Sequence, residues 1–332
     1  MIGATGNQGS SVAHTFLGLS TWHVRCVTRN PSSSASQALL AKGAEIVQGD
    51  MSDQSTLVRA FENANSIFLN TDFWATYLET NKSTDSETGA SVTSGQAAYD
   101  QEVSHGINTA IVAAGIESLE RLIYSALGPM KKHSRGRFSH SYHWESKASI
   151  VEYIKNEQPE LAKKTSFIYP GAFTTNPMMT PRLDPTSGKY TFVLPASAKM
   201  RMPIIDPRMS TGPFVRALVE TEDAGTTLLA YDSYLTMEEL VQVWSRVIGQ
   251  EVNFVSMTTQ AMHELIGLPL EALEAPGFIE EFGYMGGVEN AIEPHQLKSK
   301  VQTPSFEEWL TKSDWKAMLT AAQVELEDYM EG

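Results

Sequence analysis

Short β-branched runs alternate with helical stripes through the first half of the chain. Val12, Phe16 and Leu19 recur at helical spacing, so a helix lies close to the start. Residues 24–28 read as a strand, and a serine-rich stretch at 32–34 leads into a helix ending near Gly43. A second strand over 44–47 is closed by Gln48-Gly49-Asp50. Ser52 or Asp53 can cap the next helix, which carries Leu57, Val58 and Phe61. Strands at 66–70, 121–125 and 165–169 then alternate with two helices. One, at 96–114, is striped by Val103, Ile107 and Ile111; the other spans 145–156. Repeated β-α-β units predict a parallel, doubly wound sheet.

After Pro170 the alternation stops. Residues 171–213 are rich in Pro, Met and Thr and read as long loops with a strand near 190–194. A helix at 235–248 turns Leu240, Val241, Trp244, Val247 and Ile248 toward a core, and 252–255 reads as a strand. Ser305 and Glu308 form a capping-box pair opening a C-terminal helix, with Trp309, Trp315 and Leu319 as packing residues. The expectation is an α/β, Rossmann-type domain over 1–170 and a smaller mixed α/β substrate or partner lobe over 171–332, interleaved with the first. Residues 79–95 break the pattern: ten of these seventeen are Ser, Thr or Gly. They are expected to form an inserted loop, either passive or a lid beside the ligand crevice.

Chemistry enters with Gly3-Ala4-Thr5-Gly6-Asn7-Gln8-Gly9, a G-x-x-G-x-x-G turn. Glycines so spaced let the backbone leave a strand tightly, approach a pyrophosphate and enter a helix whose N-terminal N–H groups bind phosphate. A first strand needs roughly five or six residues, and Met1-Ile2 supply only its end. Either the chain extends upstream or its sheet lacks most of the central strand, and packing should then be loose. Twenty residues after Gly9, at the end of the strand read over 24–28, stands Arg29 where an NAD-specific site carries an acid. A guanidinium there suits a 2′-phosphate; the plain alternative is a solvated arginine. Asp50-Met51 would lie near an adenine, or merely end a strand.

Composition narrows the class. A net charge of −14 argues against non-specific nucleic-acid binding. The single cysteine, Cys26, rules out an internal disulfide framework and fits a reducing compartment. No signal-peptide pattern opens the sequence, and no apolar run approaches the roughly 20 residues of a membrane span. The expected location is cytosolic, with nuclear entry left open. His140-x-x-His143 lacks a third ligand at helical spacing, so no metal site is expected. Lys131, Lys132, Arg135 and Arg137 form a local basic loop.

Taken in order, GATGNQGSSVA (3–13), VTRNP (27–31), GDMSD (49–53), TDFW (71–74), YSAL (124–127), HWESKASIVEYI (143–154), YPGAF (169–173) and GYMGG (283–287) resemble the NmrA-like family, an atypical branch of the short-chain dehydrogenase/reductases. The resemblance implies NADP(H) as cofactor. Its contacts would fall on Gly3, Ala4, Thr5, Gly6, Asn7 and Gln8, on Arg29, Asn30, Pro31, Ser32 and Ser33, and on Asp50, Met51, Thr71, Asp72 and Phe73. Lys132 or its neighbour Lys131, Lys147, and Tyr169, Pro170, Gly171, Ala172 and Phe173 complete the set.

Active short-chain dehydrogenases use Tyr-x-x-x-Lys on one helix face. Here Lys147 is present, but His143 stands four residues before it and Tyr142 is one position out of register, about 100° away on a helix. Two readings follow. In the first, an NADP(H)-dependent oxidoreductase reduces a small carbonyl, imine or conjugated double bond. Lys147 orients the cofactor, His143 is a candidate acid, and the segment 173–179 borders the substrate. In the second, a non-catalytic NADP(H) sensor binds a protein partner according to redox state, with His143 chemically idle. The resemblance serves both, because the family's regulatory members carry histidine at the tyrosine position.

Overall fold

The computed structural model describes residues 1–83 and 94–331. In the first half, α1 (Asn7–Leu17), β1 (Arg25–Thr28), α2 (Ser34–Ala41), β2 (Glu45–Gln48), α3 (Gln54–Phe61) and β3 (Ser66–Leu69) follow one another. Next come α4 (Phe73–Ser83), α5 (Ser94–Ala114), β4 (Arg121–Ser125), α6 (Met130–His133), α7 (Tyr142–Glu157), α8 (Pro159–Ala162) and β5 (Thr165–Pro170). The second half holds β6 (Ala172–Phe173), β7 (Arg182–Leu183), β8 (Tyr190–Leu194), β9 (Arg201–Ile205), α9 (Thr211–Glu220), β10 (Thr227–Ala230) and β11 (Ser233–Thr236). It continues through α10 (Met237–Ile248), β12 (Val252–Ser256), α11 (Thr259–Ile266), α12 (Leu270–Phe282), β13 (Ala291–Ile292), α13 (Phe306–Lys312) and α14 (Trp315–Glu331).

The main sheet is parallel throughout, with β13-β10-β5-β4-β3 on one side and β1-β2 on the other. Met1 and Ile2 join the halves: the Ile2 N–H donates to Phe68 O, the Val27 N–H to Met1 O, and the Met1 amine to Arg25 O at 2.7 Å. A doubly wound sheet therefore forms, as expected, with Met1 and Ile2 at its centre. Behind Met1 a cleft of about 440 Å³ opens between β1 and β3, walled by Phe16, Trp22, Arg25, Phe61 and Phe68. It lies at the N-terminal edge of the sheet, opposite the strand ends where ligands bind in such folds. β10 and β13, from beyond residue 170, extend this same sheet. Two three-stranded sheets, β11-β9-β6 and β12-β8-β7, stand beside it.

Helices cover both faces, and two close crossings depend on glycine. A Cβ on Gly212 of α9 would lie 2.1 Å from Thr15 Oγ1 of α1, and one on Gly106 of α5 would lie 2.4 Å from Ile150 of α7. The second crossing overturns the expected stripe of α5. Ile111 is exposed and Val103 and Ile107 are half-buried, whereas Ala98, Glu102, Gly106, Thr109 and Ala113 face inward. Small residues win that face because they let α5 and α7 approach closely. Other expectations need correction. Residues 79–83 belong to α4 rather than to a loop; α5 resumes at Ser94, and the remainder of the expected insertion lies outside the described residues. Val58 is exposed. The C-terminal helix is two helices, parted at Ser313 and Asp314. No helix among the described residues is long and apolar enough to cross a membrane.

Candidate functional site

The glycine turn closes as its spacing requires. The Gly6 N–H donates to Gly3 O at 3.0 Å, Gly3 takes φ +71°, and a Cβ on Gly9 would fall 2.0 Å from Gly3 O. α1 has Gly6 at its N-cap, with no side-chain cap and no acid in its first turn. Its first N–H groups and the positive end of the helix dipole are left facing outward, the condition an anion exploits. Gln8 instead turns inward: Ser125 Oγ donates to its Oε1 at 2.8 Å, and its Nε2 donates to Asn70 Oδ1 at 3.4 Å. Asn7 accepts from Arg208 Nε at 2.8 Å, so a guanidinium from the second half of the chain stands beside the turn.

Arg29 is exposed just past β1, where a phosphate could reach it. Asn30 Oδ1 accepts from the Ser32 N–H, and Ser33 caps α2 by accepting from the Ser36 N–H. Pro31 O accepts from Gln37 Nε2. After β2, the Ser52 N–H at 2.9 Å, seconded by the Arg29 charge, holds the Asp50 carboxyl below the usual carboxylate range. Asn108 fixes Met51 through its carbonyl at 3.0 Å. Asp53, rather than Ser52, caps α3.

α7 starts at Tyr142, three residues earlier than expected, which puts His143 in its first turn and Lys147 one turn on. Lys147 Nζ donates to Glu102 Oε1 at 2.8 Å, Thr71 Oγ1 at 3.0 Å and Thr71 O at 3.1 Å. An ammonium has three protons, and all three are engaged. Glu102, with no exposed side chain, also accepts from Thr71 Oγ1 and Ser146 Oγ. The glycine turn and α7 thus converge on neighbouring residues, Asn70 holding Gln8 and Thr71 holding Lys147.

His143 is 16% exposed and enclosed by Trp74 and Phe73, with ring centroids at 5.1 and 5.8 Å. Its Nδ1 bonds the buried carboxylate of Glu271, from α12. The Tyr142 and His143 N–H groups donate to the same carboxylate, each at 2.9 Å, so Glu271 caps α7 from another element. One turn along α12, Glu274 holds His140 likewise, through the backbone N–H at 2.7 Å and Nδ1 at 2.6 Å. The two histidines therefore have separate partners. Tyr142 is turned away, its ring against Gly95 and edge-on to Tyr99. Tyr124 is wholly buried, and burial with the nearby Glu102 charge pushes its phenol far above the ordinary value. Neither replaces the tyrosine absent four residues before Lys147.

The remaining sequence-derived residues scatter. Asp72 caps the start of α4 at the Ala75 N–H, while Phe73 is buried against Tyr77 and His143. Lys132 is mostly exposed and paired with Glu152. Tyr169 is buried at the end of β5, and burial raises its pKa. Pro170 O accepts from Tyr284 Oη at 2.7 Å. Gly171 passes so close to β9 that a Cβ would lie 2.5 Å from Pro203 O, and Ala172 and Phe173 pair with β9. Met179, expected at a substrate pocket, is buried beside Trp244 and accepts its indole N–H. Sequence reasoning missed Glu102, Arg208, Glu271 and Glu274. A carboxylate on an otherwise small-residue face was the one available sign of Glu102; the others come from distant segments.

A sequence model of the NmrA-like family matches residues 1–310. The NmrA-like family domain-containing oxidoreductase hkm9 of Aspergillus hancockii is 28% identical over 280 residues, covering 80% of this chain and 77% of its own. Another curated NmrA-like oxidoreductase is 43% identical over 98 residues, and that match spans only 30% of its length. Among solved structures, NmrA, a negative transcriptional regulator in complex with NADP, has TM-score 0.62 at 18% identity, over 99% of this chain and 95% of that one. The leucoanthocyanidin reductase–NADPH complex from Vitis vinifera has TM-score 0.65 at 15% identity, over 96% and 98%. At such identities the structural likeness establishes a shared fold.

Proposed function

On the premise that this chain belongs to the NmrA-like family, we propose that it binds NADP(H) and reduces a small organic substrate, a carbonyl, imine or conjugated double bond. The observation that carries this reading is the convergence of the glycine turn and α7 on Asn70 and Thr71, with His143 and Lys147 one helical turn apart. The residues present suit the cofactor. The uncapped α1 N-terminus suits a pyrophosphate, Gly9 lets the turn close tightly on Gly3, and exposed Arg29 suits a 2′-phosphate. NADPH, when bound, supplies a hydride.

The chain's own residues do the rest. Lys147, held against Thr71 and Glu102, is the residue that would hold the nicotinamide ribose. Because its protons are all engaged, the proton for substrate comes from His143, which holds it at Nε2, the ring nitrogen not bonded to Glu271. Phe73 and Trp74 wall one side of that ring. Curated relatives named oxidoreductases and the NADPH-bound reductase fold support the reading.

A second reading, an NADP(H) sensor that binds a protein partner, is favoured by the fully engaged Lys147 and by the NmrA regulator among the structural relatives. An NADPH fluorescence titration followed by a screen of carbonyl, imine and enone compounds separates the two. Turnover supports the reductase; saturable binding with no turnover of any compound supports the sensor. Absence of binding counts against both.

A further inference from the structure

We infer that Glu271 is a positioning residue that fixes which nitrogen of His143 carries the proton. The inference deepens the proposed reductase reading and rests on it for its catalytic meaning, but its geometry stands alone. Glu271 lies on α12, 128 residues from His143, and its side chain is 5% exposed. Both of its oxygens are occupied. Oε2 accepts from the Tyr142 N–H, and Oε1 accepts from the His143 N–H and faces His143 Nδ1.

An ionised carboxylate only accepts hydrogen bonds, so Nδ1 must be the donor. The neutral ring is then the Nδ1–H tautomer, with Nε2 as its basic nitrogen, and Nε2 has no hydrogen-bond partner among the described residues. A carboxylate on one imidazole nitrogen fixes the orientation and tautomer of the ring and makes the other nitrogen the reactive one. In the cationic ring both nitrogens carry protons. The Nε2 proton passes to the substrate atom that gains electron density, and the ring is left neutral with Nδ1–H still donating to Glu271. Solvent returns the lost proton to Nε2. Trp74 and Phe73 restrict ring rotation, so the proton-bearing nitrogen stays aimed one way.

Glu271 also caps α7, and a purely structural role has to be distinguished. Glu274 provides the control, holding His140 from the same helix by the same kind of contact without touching His143. The experiment is ¹⁵N NMR of the histidine rings in the cofactor-free full chain, at a pH where His143 is neutral, with His143→Phe assigning its signals. The wild type should show the Nδ1–H tautomer. Glu271→Gln should shift His143 to a mixed or Nε2–H population, because a glutamine amide cannot satisfy three donors, and Glu274→Gln should leave it unchanged.

An Nε2–H tautomer in the wild type overturns the inference, even if Glu271→Gln fails to fold. An unchanged tautomer in folded Glu271→Gln also overturns it, leaving only a helix cap. These outcomes do not depend on finding a substrate, so failure here differs from failure of the reductase reading. With a substrate in hand, Glu271→Gln should lower kcat about tenfold to a hundredfold, with NADPH affinity unchanged.

Discussion

Gly212→Ala should destabilise the protein, because α9 and α1 cross too closely there for a side chain. A Cβ at this position would lie 2.1 Å from Thr15 Oγ1 and 2.4 Å from Ser11 O. Turning the threonine hydroxyl relieves the first contact, but the second is to backbone, so the two helices must part. The Gly212 N–H also donates to Ser11 Oγ at 2.9 Å in the buried seam, and that bond lengthens as they part. Overpacking of this kind costs about 1–3 kcal/mol, and a weakened buried hydrogen bond adds about 0.5–1.5 kcal/mol. Urea unfolding should therefore show a loss of about 2–4 kcal/mol for Gly212→Ala. Adding Thr15→Ala, which removes only the side-chain contact, should leave most of that loss in place. A Gly212→Ala protein as stable as the wild type, or one fully restored by Thr15→Ala, would refute the reasoning.

Arg29→Ala should erase most of a preference for NADPH over NADH, roughly tenfold to a hundredfold in affinity, while leaving NADH binding nearly unchanged; calorimetric titration with both cofactors checks it. His143→Phe should lower the rate on a reduced substrate by about 10²–10⁴-fold with little effect on NADPH affinity, and His143→Tyr should recover part of the loss in steady-state assays. Glu102→Ala strands Lys147, which is 13% exposed, and should cost about 3–5 kcal/mol in denaturant unfolding. Gly106→Val presses into Ile150, so it should destabilise by about 1–3 kcal/mol and weaken NADPH binding as α5 moves Glu102 away from Lys147.

Local signals carried most of the fold. The strand runs, the capping serine at 305 and the glycine turn each depend on neighbours in sequence, and each appears near its expected place. α5 was misread because its buried face is chosen by the fit to α7: glycine and alanine face inward and isoleucine faces out, a preference no periodicity of apolar residues records. The TDFW segment was legible as a site neighbour but not as a helix start, since Phe73 is drawn into the core by Tyr77 and His143. His143 and Lys147 could be picked out from their four-residue spacing. What makes them different chemically is supplied by Glu102 and Glu271, which approach from α5 and α12 and leave no mark near α7.

Transfer of label tests the central claim most directly. NADPH deuterated at the transferring position of C4 is mixed with the full chain and each candidate carbonyl, imine or enone, and the products are examined by mass spectrometry. The reductase account predicts one deuterium per reduced molecule at the carbon that accepts the hydride, and loss of that product in His143→Phe. Saturable NADPH binding with no labelled product from any compound would contradict it and leave the sensor reading standing.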